Sequence, residues 1–164
     1  MTTPKLYWED FPVGAVREFG NVTIAKEDIL EFAGRYDPQP FHLDEEAAAQ
    51  SLFGGLCASG WHTCSLMMRM MCDGYLLETA SLGSPGLDNI RWLKPVRPGD
   101  DLRGRYEILE ARPMASKPHV GLVRSRWSVL NQMNEEVMQM EGWNMIRRRS
   151  PTWSTSRALA VNSG

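Results

Sequence analysis

The stretch that most restricts the fold begins after Gly54-Gly55, where residues 56–73 read as the longest helix candidate in the chain. Ala58, Trp61, Cys64, Leu66, Met67, Met68, Met70 and Met71 leave almost no polar side on that helix. A helix that is apolar nearly all round has to be buried against something on nearly every side. The methionines read as core filling, because unbranched side chains fit irregular gaps. Arg69 is the one basic residue of the stretch and is expected to reach past its edge.

What encloses the helix follows in the second half of the chain. Four strand-like runs, 86–96, 102–110, 120–131 and 136–148, are separated by Arg97-Pro98-Gly99-Asp100, by residues 113–118 and by residues 131–135. An earlier strand is expected over 16–24 and a helix over 26–35, with Glu27 and Asp28 at the positive end of its dipole. A short helix follows at 45–49, with Asp44 as its N-cap. The expectation is an α+β fold in which an antiparallel sheet wraps around a long central helix. At 164 residues the chain suits one domain, with an N-terminal arm over 1–15, a body to residue 149 and a tail over 150–164 anchored, if it docks, by Trp153.

Charge excludes several function classes. With 18 basic and 20 acidic residues there is no net field to draw nucleic acid or an anionic membrane surface. No apolar run suits a signal sequence or a membrane span, so a cytoplasmic location is expected. Cys57, Cys64 and Cys72 form no Cys-x-x-Cys pair, and His42, His62 and His119 show no ligand spacing, so neither a disulfide framework nor a metal site is expected.

The chemistry is concentrated in Arg35-Tyr36-Asp37-Pro38-Gln39-Pro40-Phe41-His42. The two prolines fix φ and bias each preceding residue away from ordinary helix, so a stiff turn carries a carboxylate and an imidazole. Such a pair can share one water and move protons near neutrality. Taken alone, Asp before Pro is also a common turn starter.

Three motifs in order resemble the MaoC-like hydratase family, the (R)-specific enoyl-CoA hydratases with a hot-dog fold. They are Tyr36-Asp37-Pro38-Gln39-Pro40-Phe41-His42-Leu43-Asp44, then Ala58-Ser59-Gly60-Trp61, then Gly83-Ser84-Pro85-Gly86-Leu87 running into Lys94-Pro95-Val96-Arg97-Pro98-Gly99-Asp100. The chain departs from the family pattern at Gln39, Phe41 and Ser59. The resemblance implies that Asp37 and His42 are the catalytic pair and that the Gly60 N–H forms an oxyanion hole. It also implies an acyl-CoA thioester as substrate, no separate cofactor, and a homodimer or dimer of dimers. The implied activity is hydration of trans-2-enoyl-CoA to 3-hydroxyacyl-CoA, or the reverse dehydration. Phe41, Ser59 and Trp61 are expected to line the pocket. A hot-dog thioesterase and a non-catalytic acyl-CoA-binding module are the alternative readings.

Overall fold

The computed structural model describes residues 3–150; the tail beyond, with Trp153, lies outside the described residues. Five strands form one antiparallel sheet: β1 (Val16–Thr23), β2 (Ser81–Trp92), β3 (Asp101–Met114), β4 (Lys117–Leu130) and β5 (Glu136–Arg147). Their order across the sheet is β1-β3-β4-β5-β2. Helices α1 (Lys26–Tyr36), α2 (Pro40–Leu43), α3 (Glu45–Ala49) and α4 (Gly60–Gly74) fill the segment between β1 and β2. A long helix held against a curved antiparallel sheet is the architecture the apolar pattern called for.

Alternation explains the contact face. Along β3, Leu102, Tyr106 and Ile108 are buried at every second position, as a pleated strand requires when one face meets the core. Tyr106 lies opposite Trp127 on β4, which lies opposite Met140 on β5. Against this face α4 places Met67, Met70 and Met71, each almost without solvent contact, and burial of a methionine contributes about 1.5–3 kcal/mol. The Trp127 indole donates to the Tyr75 hydroxyl at 3.0 Å, which satisfies the buried N–H.

Three local expectations need correction. The central helix starts at Gly60 rather than residue 56, because Ser59 caps it by accepting from the Trp61 N–H, while Ala58 donates its N–H to Val96 O. The helix is also not enclosed all round: Trp61 and Met68 are 57% and 49% exposed along one side. The strand expected over 86–96 runs from Ser81 to Trp92 instead. Bulges around Gly83 and Gly86, both at positive φ, let the glycine-rich segment pair with β5, and residues 93–96 leave the ladder.

The N-terminal arm lies on the body. Trp8 donates to Leu122 O at 3.1 Å, Phe11 is 4% exposed, and Asp10 pairs with Arg149 at 2.6 Å. No helix among the described residues is long and apolar enough to cross a membrane.

Candidate active site

The Asp/His turn is built from two helix ends. Asp37 closes α1, where Ile29 and Ala33 face the core, and its N–H still donates to Ala33 O at 2.9 Å. Its φ of −150° turns the chain out of the helix. The two prolines had argued against helix here, yet His42 sits in one helical turn, α2, because Pro40 occupies its first position. There a missing N–H costs nothing and φ is already helical.

This geometry brings the predicted pair together. His42 Nε2 lies 3.4 Å from Asp37 Oδ2, and the imidazole is buried. On its other side Nδ1 is 2.8 Å from Cys57 O. A carbonyl can only accept, so Nδ1 carries the hydrogen in the neutral ring and Nε2 keeps its lone pair toward Asp37. With the ring neutral, Nε2 and the carboxylate are both acceptors; with the ring protonated, Nε2 turns a donor toward Asp37, and in either form the 3.4 Å gap is too wide for a strong direct bond.

Asp37 is held by donors. Ser59 Oγ donates to Oδ2 at 2.6 Å and Gln39 Nε2 donates to Oδ1 at 2.7 Å. Burial pushes the Asp37 carboxyl up, but the hydrogen bonds from Ser59 and Gln39, with the neighbouring His42, outweigh it and hold the group below its ordinary value. Asp37 is thus a carboxylate prepared to accept. Gln39 and Ser59, one from the turn itself and one from the cap of α4, supply these donors.

The pair opens on a cleft of about 380 Å³ between α4 and the segment 92–96. Gly60 is the first residue of α4, so its N–H has no carbonyl partner within the helix. A Cβ on Gly60 would lie 2.4 Å from the Trp92 indole, so close packing alone demands glycine there. Trp92 meets Trp61 edge to face, with ring centroids 5.4 Å apart.

Of the expected lining residues, Trp61 does line the cleft. Ser59 lies beneath it, 1% exposed and bonded to Asp37. Phe41 is turned aside, its ring packed between those of His42 and Phe53 at 4.6 and 5.1 Å. Phe53, Cys57 and Thr63 line the cleft without having been anticipated, and Trp92, on the strand that leads into Lys94, lines it with them. A phenylalanine in a loop just before Gly54-Gly55 was the one available signal for the first of these.

The basic residues divide. Lys94 lines the cleft and pairs with Glu135. Arg97 instead binds backbone carbonyls of Phe53, Gly55 and Leu56, and Arg148 lies over Trp8. His62 faces away from the cleft, stacked on Phe32 with ring centroids 4.6 Å apart. Among the described residues no group of three or more His, Cys, Asp or Glu side chains is arranged to hold a metal ion, and the three cysteines are free thiols.

A sheet wrapped on one long helix, with an Asp/His pair at the helix N-terminus, defines a hot-dog protein of the hydratase and dehydratase kind. The MaoC like domain matches residues 10–128, and the chain belongs to this family. It is 39% identical to the MaoC-like dehydratase of Rhodospirillum rubrum, whose crystal structure superposes with a TM-score of 0.83 over 88% of this chain and 99% of that one. An uncharacterized protein of Bacillus subtilis, YdeM, is 29% identical over 85% of this chain and 98% of its own length. The 3-hydroxybutyryl-CoA dehydratase of Methylorubrum extorquens is 31% identical over 66% of this chain and 67% of its own.

Proposed function

We propose that the protein hydrates trans-2-enoyl-CoA thioesters to 3-hydroxyacyl-CoA, or catalyses the reverse dehydration. The observation that carries this reading is the pairing of His42 Nε2 with Asp37 Oδ2, 3.4 Å apart beside a helix N-terminus. In the form with a neutral ring both atoms accept, and a water can then donate one hydrogen to each.

In the hydration direction the water oxygen bonds to C3 of the enoyl group as one proton passes to the pair. The π electrons move toward the thioester carbonyl, and a proton from the pair completes C2. The sum is addition of H and OH from one water, so no further reactant is needed and the proposal includes no cofactor. The charge that gathers on the thioester oxygen is met by the Gly60 N–H and the positive end of the α4 dipole. A donor already in place costs no reorganisation as charge develops.

The same reading includes a cytoplasmic homodimer. Strand β2 is an edge of the sheet, and Leu82, Leu87, Trp61 and Met68 are exposed along it and along α4. An exposed, apolar edge is a template for a second strand, and an equal copy is the partner that closes it symmetrically. Sedimentation equilibrium reading a monomer at micromolar concentration would remove this part alone.

The function is tested by incubating the protein with crotonyl-CoA and following loss of the enoyl-thioester absorbance, beside Asp37→Asn. Turnover by the wild type and a loss on the order of 100-fold or more in the variant is the expected result. Binding of enoyl-CoA without turnover would turn the reading to a non-catalytic module.

A further inference from the structure

The two ends of the cleft are ordered by the chain itself. Residues 55–60 and 92–97 run past each other in opposite directions. Trp92 packs on Gly60, Ala58 donates its N–H to Val96 O at 2.9 Å, and Arg97 binds the carbonyls of Phe53, Gly55 and Leu56. Asp37 and His42 are attached to the middle of this path, through Ser59 at 2.6 Å and Cys57 at 2.8 Å. On the hydratase reading above, on which this inference rests, the thioester carbonyl sits at Gly60 and C3 sits at the Asp/His pair. The sulfur and its carrier then point toward Trp61 and Trp92. The acyl tail points the other way, toward Phe53.

That end is closed. The Phe53 ring centroid lies 6.3 Å from that of His42 and 5.1 Å from that of Phe41. A methylene chain needs about 3.5–4 Å of clearance to the atoms on either side, so none passes between His42 and Phe53. The wall is also fixed in place, although it stands on a surface loop. Arg97 ties the loop at three carbonyls, and Ser51 Oγ accepts from the Phe53 N–H at 3.1 Å while donating to Ala48 O at 2.7 Å. The cleft's 380 Å³ lies at the small end of ligand pockets, which run from about 300 to 1,000 Å³.

We propose that Phe53 ends the acyl pocket, so that the protein accepts short-chain 2-enoyl thioesters and excludes medium-chain ones. Phe53 is a specificity-determining residue that takes no part in proton transfer. The residue is 39% exposed and lies outside the core cluster, so its truncation leaves the core intact.

The test compares kcat/KM for crotonyl-CoA and trans-2-octenoyl-CoA in the wild type, Phe53→Ala, Phe53→Trp and Trp92→Ala, with thermal midpoints to confirm folding. The wild type is expected to prefer crotonyl-CoA. Phe53→Ala should shift the ratio toward octenoyl-CoA by about tenfold or more, the scale of apolar pocket discrimination. Phe53→Trp should not gain the longer substrate, and Trp92→Ala should change both substrates together. An unchanged ratio in a folded, active Phe53→Ala, or a ratio moved by Trp92→Ala instead, overturns the inference and leaves the hydratase reading standing. A wild type that turns over neither substrate overturns both.

Discussion

Two clefts of nearly equal size flank the start of α4, and each has a buried histidine in its wall. One, of about 380 Å³, holds His42 at 5% exposure; the other, of about 390 Å³, holds His62 at 6%. Burial and volume do not separate them. Their partners do. His42 has Nδ1 committed to Cys57 O, so Nε2 is presented to Asp37 and the cleft. Among the described residues His62 Nδ1 has no hydrogen-bond partner, and its ring lies flat on Phe32. Burial holds the His62 imidazole below its ordinary pKa, with Asp28 opposing more weakly. A histidine does acid–base work when one nitrogen is anchored and the other faces a reacting group; a stacked, unanchored one is packing.

The sharpest way to break this comparison is to remove each ring. His42→Ala should lower kcat/KM by on the order of 100-fold or more. His62→Phe, which keeps the stack on Phe32, should leave kcat/KM unchanged. Equal losses in the two variants would show that the difference in partners does not decide function.

A smaller effect is expected at Ser59. Ser59→Ala removes the 2.6 Å donor from Asp37 and should cost on the order of tenfold in kcat/KM, the scale of one hydrogen bond to a charged group. Because that donor helps hold the Asp37 pKa down, its loss raises the pKa. The acid limb of the kcat/KM profile should therefore move to higher pH, and Ser59→Thr should restore it. A profile that only drops in height would assign Ser59 to helix capping alone.

The smallest effect is on stability. The folded pKa of His62 is depressed, so the unfolded chain binds the extra proton first. The protein's full stability from this group is present above about pH 6.5, the unfolded value, and is lost as pH falls below it toward the folded pKa. His62→Phe removes that loss along with an unsatisfied buried nitrogen. Its thermal midpoint should match or exceed the wild type at pH 7.5 and gain further by pH 5.5. A midpoint that falls by the same amount at both pH values would mean that His62 is held by a bond other than the stack.

Much of this was legible in the residues. The strand-like run over 102–110, bounded by turn residues, foretold β3, the Asp44 cap foretold α3, and Asp37 with His42 on one stiff turn foretold that the two side chains would lie together. These are local properties, set by side-chain period, capping and proline geometry within a few residues. Helix α4 shows where that legibility ends. Its apolar pattern continues through residues 56–59, but Ala58 is drawn out of helix by Val96, thirty-eight positions away. Phe41 and Phe53 exchange roles for the same reason: which of two aromatics faces the cleft depends on a loop tied down by Arg97.

What the sequence determined by itself is the presence of a carboxylate and an imidazole on a rigid turn, and of a helix that needs a sheet around it. What only the tertiary structure decided is their electrical and steric setting. The Ser59 donor that helps keep Asp37 ionised, the Cys57 carbonyl that sets the His42 tautomer, and the Trp92 ring against Gly60 all form where distinct segments meet. A hydrogen bond or a van der Waals wall acts only over a few ångströms, so it exists only once folding has brought its two sides to that distance.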